Sequence, residues 1–327
     1  MKKIKIGEGN MKVVIETEES LNFEISGETV KFKVLVNGSN RIVEDLNEKK
    51  GLEIKKVNAH TVSVGGQKIS LNSLEKIKGK DYFVYKNLHT KKHKISLSKD
   101  DAEGNEKLEL IGGFHYGLYD ENFKGNEDIP KKYAKKIRGI NAYSIWTQNH
   151  KPKCDAQGMV FIPKLKIWVD IYLTNSNYKE NGTSVSEGKI LAGWKAEGRE
   201  TDGREELFLK DFVEIGESFN KRLLTKKEFE VCMKGVSEGR SAGNIDDGTI
   251  QHIEFLMSRY GIEQAVGNQW VWSLDKYEDR DDRQVILGGY RDVGVHAGSR
   301  CSHWSDSLST SYWAFGSRFA CDNLILD

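Results

Sequence analysis

All seven tryptophans of this 327-residue chain lie beyond residue 145, so the largest aromatic side chains are confined to its second part. Aromatic side chains bury large apolar areas and dominate the energetics of a core. We therefore expect the second part to form the larger and more rigid domain. A separate first domain fits the chain length, because domains average roughly 100 to 200 residues.

The first hundred residues alternate between apolar and polar side chains, which predicts β-strands with one buried face. Val30, Phe32, Val34 and Val36 show this alternation, and Asn37-Gly38 follows them as a tight-turn pair. The same pattern recurs around Gly65-Gly66, and further short strands are expected at 21–25 and 95–97. These observations predict a small all-β domain over 1–105, a sandwich or a roll, that serves as a mounting module. The boundary is placed in the polar stretch near residues 100–107.

Two helices are predicted in the second part, 106–327. Thr225 and Glu228 have the spacing of a capping box, and Phe229, Cys232 and Met233 then share one helix face. A second helix is expected from about Thr249 to Gly261, because its apolar residues recur at helical spacing.

Composition excludes several partners. The formal net charge is +1, so neither nucleic acid nor an anionic membrane is an expected partner. No run approaches the eighteen or so apolar residues of a membrane span, and no export signal is visible. The four cysteines form no C-x-x-C pair and are expected to be free thiols, although a bridge between Cys301 and Cys321 stays open.

Catalytic and metal-binding motifs are absent from the sequence. The glycine pairs do not extend to a phosphate-binding loop, and the acidic run at 277–283 contains arginines that oppose a cation. His115, His252, His296 and His303 accompany no recognisable nucleophile or zinc motif. We expect no catalytic residue, no cofactor and no metal.

The stretch from Gly288 to Cys321 carries the strongest functional indication. It is rich in Gly, Ser, Tyr, His and Asp and lacks the aliphatic periodicity of a helix. Adaptable polar groups beside rigid aromatic side chains are the chemistry of a paratope. A plain surface loop is the alternative at this point.

This stretch resembles the variable region of proteins that retroelements diversify by adenine-directed mutagenesis. The residues that match the fixed text of that family are Gly288, Gly289, Ala297 to Arg300, Trp304, Gly316 to Arg318, Cys321 and Asp322. Similar segments occur in the same order upstream, at 140–146, 158–163, 168–173, 221–225, 235–238, 258–265 and 270–272.

The resemblance implies an α+β class with a C-type lectin fold over 106–327, mostly antiparallel β-structure with two helices, and a variable region at about 288–321. It also implies a ligand-binding face between the fixed residues. The expected binding residues are Tyr290, Arg291, Asp292, Val293, Val295, His296, His303, Ser305, Asp306, Thr310, Tyr312, Trp313, Ala314 and Phe315. Of these, the side chains expected to project as anchors are Tyr290, His296, His303, Tyr312, Trp313 and Phe315. Trp270, Trp272 and Trp304 are expected to pack beneath the face.

The amino acids themselves fit this scheme. An Asn codon altered only at its adenines yields residues such as Tyr, Asp, His, Ser, Val and Phe, but never Trp. The stretch contains no Asn, and all of the expected binding residues except Trp313 are reachable outcomes. Trp304 and Trp313 are therefore fixed residues or arise from other codons.

The implied function is binding of a protein or glycan on a host or target surface, as a phage or virus attachment protein whose first domain joins a virion or tail. Display on a cell surface is an alternative.

A looser resemblance to formylglycine-generating enzymes, carried by the helix start at 224–229 and by Gly267, Asn268 and Trp272, implies an oxidase instead. That activity needs two closely spaced copper-binding cysteines, whereas Cys301 and Cys321 are far apart. A purely structural domain is the third alternative.

Overall fold

The fold was analysed in a computed structural model. It describes residues 2–6, 13–17, 21–26, 29–36 and 39–42 by their backbone, and then 53–71, 76–100, 107–119, 122–182, 185–277 and 280–324. Contacts divide the chain into two compact units, Met1–Gly51 and Leu52–Asp327. Within the described ranges, no helix has the length and apolar character needed to cross a bilayer.

The first unit consists of two small antiparallel sheets. β1 (Lys2–Ile6) pairs with β2 (Val13–Thr17), and β3 (Leu21–Ser26), β4 (Thr29–Val36) and β5 (Ser39–Ile42) form the other sheet in that order. Val36 is paired with Ser39, so only Asn37-Gly38 separates the two strands. The hairpin predicted at this pair is confirmed.

Two further antiparallel sheets begin the second unit. The first contains β6 (Ile54–Asn58), β7 (Thr61–Val64) and β8 (Gln67–Ser70), with Val64 paired to Gln67 across the predicted Gly65-Gly66 turn. The second has the order β10 (His93–Ser96), β9 (Lys80–Asn87), β11 (Leu108–Tyr116) and β12 (Trp146–Thr147).

The predicted boundary at 105–106 lies outside the described residues, between two strands of this second sheet that pair with each other. β9 and β11 lie on opposite sides of it in sequence, yet they pair from Lys80 opposite Tyr116 to Asn87 opposite Leu108. One apolar core also crosses it, since Tyr82, Phe114 and Ile140 belong to the same buried cluster. Contacts place the division at 51/52 instead. Polar composition is common to linkers between domains and to connections between strands, so composition alone does not locate a domain boundary.

The remaining elements build a mixed structure around two four-stranded sheets. The helices are α1 (Lys131–Ile137), α2 (Tyr178–Asn181), α3 (Leu209–Ser218) and α4 (Lys226–Cys232). The strands are β13 (Met159–Ile162), β14 (Ile167–Asp170), β15 (Arg222–Leu223), β16 (Trp270–Tyr277), β17 (Arg280–Leu287), β18 (Ser302–Ser307), β19 (Phe315–Gly316) and β20 (Phe319–Asp322). The sheet orders are β13-β14-β20-β15 and β18-β17-β16-β19, and the pairing of β16 with β19 is parallel.

Helix α4 begins as the sequence predicts. The Thr225 hydroxyl accepts a hydrogen bond from the Glu228 amide at 3.2 Å, and the Glu228 carboxylate accepts one from the Thr225 amide at 2.9 Å. Phe229, Cys232 and Met233 are fully buried in the main core. This capping box and the apolar face of the helix are confirmed.

The second predicted helix, from Thr249 to Gly261, is wrong. Only one 3-10 turn, Glu254–Leu256, forms there. The backbone is held by bonds to other segments, such as the Ile250 amide to the Gly188 carbonyl at 2.8 Å. Its apolar residues are buried as expected, but tertiary hydrogen bonds replace the helical ones.

Arg318 connects the sheet of β14 and β20 to the loop at 263–264. Its guanidinium, which is almost fully buried, donates to the carbonyls of Asp170 and Ile171 at 3.0 and 2.7 Å. It also donates to the carbonyls of Glu263 and Gln264 at 2.7 and 3.1 Å. Burial lowers the pKa of Arg318 to about 10, against the opposing effect of the nearby acidic side chains of Asp170 and Glu263. One side chain thus satisfies four buried acceptors in two separate segments.

We predict that Arg318→Met destabilises the second unit by about 3 kcal/mol or more, because buried acceptors that lose their donors carry the full desolvation penalty. Urea unfolding followed by tryptophan fluorescence measures this loss. Arg300→Met, at an exposed arginine of the same stretch, is the matched control and should change stability by less than about 0.5 kcal/mol. Equal losses in the two variants would contradict the assigned role of Arg318.

Candidate ligand-binding face

The stretch 288–321 forms two loops beside the sheet β18-β17-β16-β19. The first loop joins β17 to β18, and its base is closed by hydrogen bonds from the Gly288 amide to the Cys301 carbonyl, 3.0 Å, and from the Gly298 amide to the Gly288 carbonyl, 3.2 Å. Gly288 has a φ of 91°, and a Cβ atom there would lie 2.9 Å from the Phe229 ring. The second loop joins β18 to β19.

A buried aromatic layer supports both loops. Trp270 and Trp272 on β16 are buried, as the sequence analysis expects. Trp272 packs edge to face against Phe315 with ring centroids 5.0 Å apart. The side chain of Trp304, the third tryptophan expected beneath the face, lies outside the described residues.

Ala314 and Phe315, both predicted to bind ligand, belong to this supporting layer instead. Ala314 is fully buried and Phe315 is 5% exposed. The Trp270 amide donates to the Ala314 carbonyl at 2.9 Å, and Phe315 is paired with Trp270 in the parallel ladder. Pairing with β16 therefore places this end of the variable stretch in the core. Neither the Ala314 nor the Phe315 side chain projects from the face.

Three of the predicted anchors form an aromatic cluster at the surface with a fourth ring, Trp194. Tyr290, Tyr312, Trp313 and Trp194 are all half-buried. Tyr312 contacts Trp194 at 5.5 Å and Trp313 at 5.4 Å between centroids, and Tyr290 contacts Trp313 at 5.6 Å. Tyr312 also contacts Phe315 at 5.4 Å, so the aromatic cluster continues into the supporting layer.

Trp194 is not among the expected binding residues, because it lies almost a hundred residues before the variable stretch. The adjacent Gly193 explains how it arrives there. Its amide donates to the Phe315 carbonyl at 3.0 Å, and a Cβ atom on Gly193 would lie within 2.6 Å of the Tyr312 backbone. Only glycine permits this close approach, which places the next residue, Trp194, beside Tyr312.

A buried ion pair lies under the aromatic cluster. Arg199 and Asp246 are both inaccessible to solvent, and the Arg199 guanidinium also donates to the Asn268 carbonyl at 2.9 Å. Its carbon Cζ lies 5.2 Å from the centre of the Trp313 ring, a cation–π distance. The pair fixes the cluster from below, and no sequence motif marked either residue.

The charged residues at the edge of the cluster are partly anchored. The Arg291 guanidinium is 15% exposed, lies 3.3 Å from Glu197 and donates to the Asp246 carbonyl at 3.0 Å. Asp292 is exposed beside it, with its carboxylate 3.5 Å from Arg291 Nε. Burial, with the proximity of Tyr312 and Asp292, raises the pKa of Tyr290.

Beside the cluster lies a groove of about 800 Å³, formed where variable and fixed positions meet. Its predicted binding residues are Val293, Val295, His296 and His303, and its other walls include Glu238, Trp270, Arg300 and Cys301. Val295 is 76% exposed, and the His303 ring lies 6.2 Å from that of Trp270. The groove therefore has an aromatic floor and a rim of exchangeable side chains.

The remaining predicted residues occupy β18 and the turn after it. Ser305 and Asp306 lie on β18, but their side chains lie outside the described residues. Thr310 is half-buried, and its amide donates to the Ser307 carbonyl at 2.9 Å. Among the residues that the structure describes, no cluster of His, Cys, Asp and Glu is suited to a metal ion.

Known proteins share this architecture. The variant structures titled Major Tropism Determinant P3c and M1 superpose with TM-scores of 0.72 and 0.69, at 21% and 22% identity. The first match covers 95% of this chain and 96% of the other, and the second covers 86% and 85%. The chain has the fold of the Major Tropism Determinant. The α+β C-type lectin fold predicted from the sequence is confirmed, and so is the resemblance to these variable lectin-fold proteins.

A sequence relative is the tail fiber receptor-binding protein of Bordetella phage BPP-1. It is 26% identical over 250 residues, which cover 66% of this chain. The matched part spans 64% of the relative's own length, slightly less than two thirds. No family model matches the chain.

We predict that the exposed positions of the face tolerate substitution, whereas the supporting layer does not. Val295→Ser, His296→Ala and His303→Ala should each change the free energy of unfolding by less than about 0.5 kcal/mol. Phe315→Ala should cost about 3 to 5 kcal/mol, because it opens a cavity against Trp272. Chemical denaturation of the four variants measures the difference. A loss above 2 kcal/mol at any of the three exposed positions would show that the face supports the fold.

Proposed function

We propose that this protein attaches a phage particle to its host by binding a surface receptor through the aromatic cluster and the groove. The observation that carries the proposal is the separation between the two layers of the face. Side chains such as Val295, His296 and His303 are exposed, whereas the tryptophans and glycines that support them are buried or closely packed. Binding residues placed on loops over a rigid scaffold can change without loss of the fold. The named function of the phage relative supports the same conclusion.

The face offers chemistry for a protein or glycan receptor. Half-exposed aromatic rings lose little conformational entropy on binding, and interface aromatics can each contribute about 2 kcal/mol or more when a partner buries them. Arg291 and Asp292 lie at the edge of the cluster, where charges set specificity and association rate more than affinity. We infer that Trp194 is a constant element of the binding site, next to residues that vary.

Retroelement diversification is part of the proposal. Val295, His296 and His303 are exposed positions that the fixed text leaves free, and each carries a residue that adenine substitution in an Asn codon produces. The neighbouring DNA tests this point. It should hold a near-copy of the segment encoding 288–321, with adenines at the variable codons, next to a reverse transcriptase gene.

We propose that the β-rich part preceding the lectin fold joins the protein to the virion or tail. The mounting role was predicted for residues 1–105. Within that range, Met1–Gly51 forms a compact unit of its own. Display on a cell surface remains the alternative, and tail genes beside this gene would favour the virion.

We infer that the protein binds rather than catalyses. The oxidase alternative requires two neighbouring copper-binding cysteines. Cys301 borders the groove, whereas Cys321 is buried in β20 beside Cys154. The two cysteines therefore belong to different parts of the domain.

We predict that Trp194→Ala and Tyr312→Ala each weaken receptor binding by about 10- to 30-fold, the loss that corresponds to roughly 1.4 to 2 kcal/mol. The fluorescently labelled full chain is titrated by flow cytometry onto a bacterial strain chosen for binding from a panel. Lys195→Ala is the matched control, because Lys195 is exposed next to Trp194 but is paired with Glu200, away from the cluster. Unchanged affinity in both aromatic variants, with thermal stability preserved, would contradict the proposed binding site.

A further inference from the structure

A short antiparallel ladder brings two distant cysteines together. The Lys153 amide donates to the Asp322 carbonyl at 3.0 Å, and the Leu324 amide donates to the Lys151 carbonyl at 2.8 Å. Pro152 and Asn323 form the bridge between these two bonds. Continued by one residue, the same register places position 154 opposite position 321.

Non-hydrogen-bonded pairs of an antiparallel ladder have a backbone spacing that suits a disulfide. The hydrogen-bonded pairs are 151 with 324 and 153 with 322, so 154 and 321 fall at a non-hydrogen-bonded pair. Cα atoms at such a pair are about 4.5 Å apart, and Cβ atoms about 4.5 to 5.5 Å. Disulfides form across Cα separations of about 4.4 to 6.8 Å.

The side chains approach each other as the register implies. The chain bends at residues 153–154. The Cys154 thiol donates to the Asp155 carbonyl at 3.3 Å, and the Cys321 thiol donates to the Asn220 carbonyl at 3.3 Å. The two sulfurs are nevertheless close enough for each to shift the pKa of the other. Both cysteines are free thiols, and both pack in the cluster that contains Met159 and Trp168. The bridge between Cys301 and Cys321 that the sequence left open thus competes with a nearer partner, Cys154.

The two sulfurs differ in reactivity. The neighbouring Cys154 thiol, together with the backbone amides of residues 153 and 154 and the charge of Lys221, lowers the pKa of Cys321 to about 7 despite burial. The interaction with Cys321 and burial raise the pKa of Cys154. Because the thiolate is the nucleophile in disulfide exchange, Cys321 is suited to attack a mixed disulfide that has already formed on Cys154. Cys154 is also the more accessible of the two, since Cys321 is only 2% exposed.

We propose that Cys154 and Cys321 are a disulfide-forming pair, oxidised by a low-molecular-weight disulfide such as oxidised glutathione. Cys154 first exchanges with the oxidant, giving a mixed disulfide and one small thiol. The Cys321 thiolate then attacks the Cys154 sulfur and releases the second small thiol. Two protein thiols are oxidised, one small disulfide is reduced, and both protons leave on the small thiols.

The disulfide would link the end of the variable stretch covalently to the segment that contains Cys154. Cys321 lies in β20, a central strand of its sheet, and ends the stretch 288–321. A disulfide between residues so distant in sequence restricts the unfolded chain strongly. We expect the oxidised protein to melt roughly 5 to 10 °C higher than the reduced protein.

The test is oxidation of the purified full chain with oxidised glutathione. Intact mass spectrometry should show the loss of two hydrogen atoms without an attached glutathione, and non-reducing peptide mapping should recover the peptides of Cys154 and Cys321 joined. Thermal melting before and after oxidation measures the stabilisation, and a reducing agent should reverse both changes.

Three matched variants make the result decisive. Cys301→Ser should oxidise like the unchanged chain, whereas Cys154→Ser and Cys321→Ser should retain glutathione or remain reduced. An internal link that involves Cys301, a link only between two chains, or an unchanged mass in the unmutated protein would overturn the proposal. Cys154→Ser replaces a half-buried residue, so it keeps the test valid if Cys321→Ser fails to fold.

Discussion

The structure of the lectin-fold part depends on the four hydrogen bonds of the Arg318 guanidinium. They join the end of β14 to the loop at 263–264, and Arg318 itself stands between β19 and β20. Water cannot replace this donor, because the site is almost fully buried. A fixed residue near the end of the variable stretch therefore holds the core together, while exposed loop residues such as Val295 and His296 contribute little to it.

The face combines two kinds of residue whose energetic roles differ. Trp272 and Phe315 contribute buried apolar area and close packing, which are costly to change. Val295 contributes little to stability because most of its surface already contacts solvent. Trp194 belongs to neither group, because it contacts the variable rings from a segment outside the stretch. A receptor would meet both constant and exchangeable side chains at one surface.

Local patterns predicted local structure well and tertiary placement less well. The capping box of Thr225 and the turn at Gly65-Gly66 follow from neighbouring residues, and both form. The helix expected from Thr249 fails because its amides bond to distant segments, which periodicity does not reveal. Ala314 and Phe315 carry residues that fit the variable code, yet their burial depends on pairing with β16. Trp194 and Arg199 reach the face only through long-range contacts, so no motif could have identified them.

Three ring pairs of the aromatic cluster meet nearly at right angles. Tyr290 is inclined by 80° to Trp313 and by 79° to Tyr312, and Trp194 is inclined by 85° to Tyr312. In these pairs the edge of one ring packs on the face of the other, so exchanging one residue changes the packing of its neighbour. Mutations at Tyr290 and Tyr312 should consequently be non-additive, so that the repertoire of useful surfaces is smaller than the product of the choices at each position. Evolution at this surface selects combinations of residues rather than single residues.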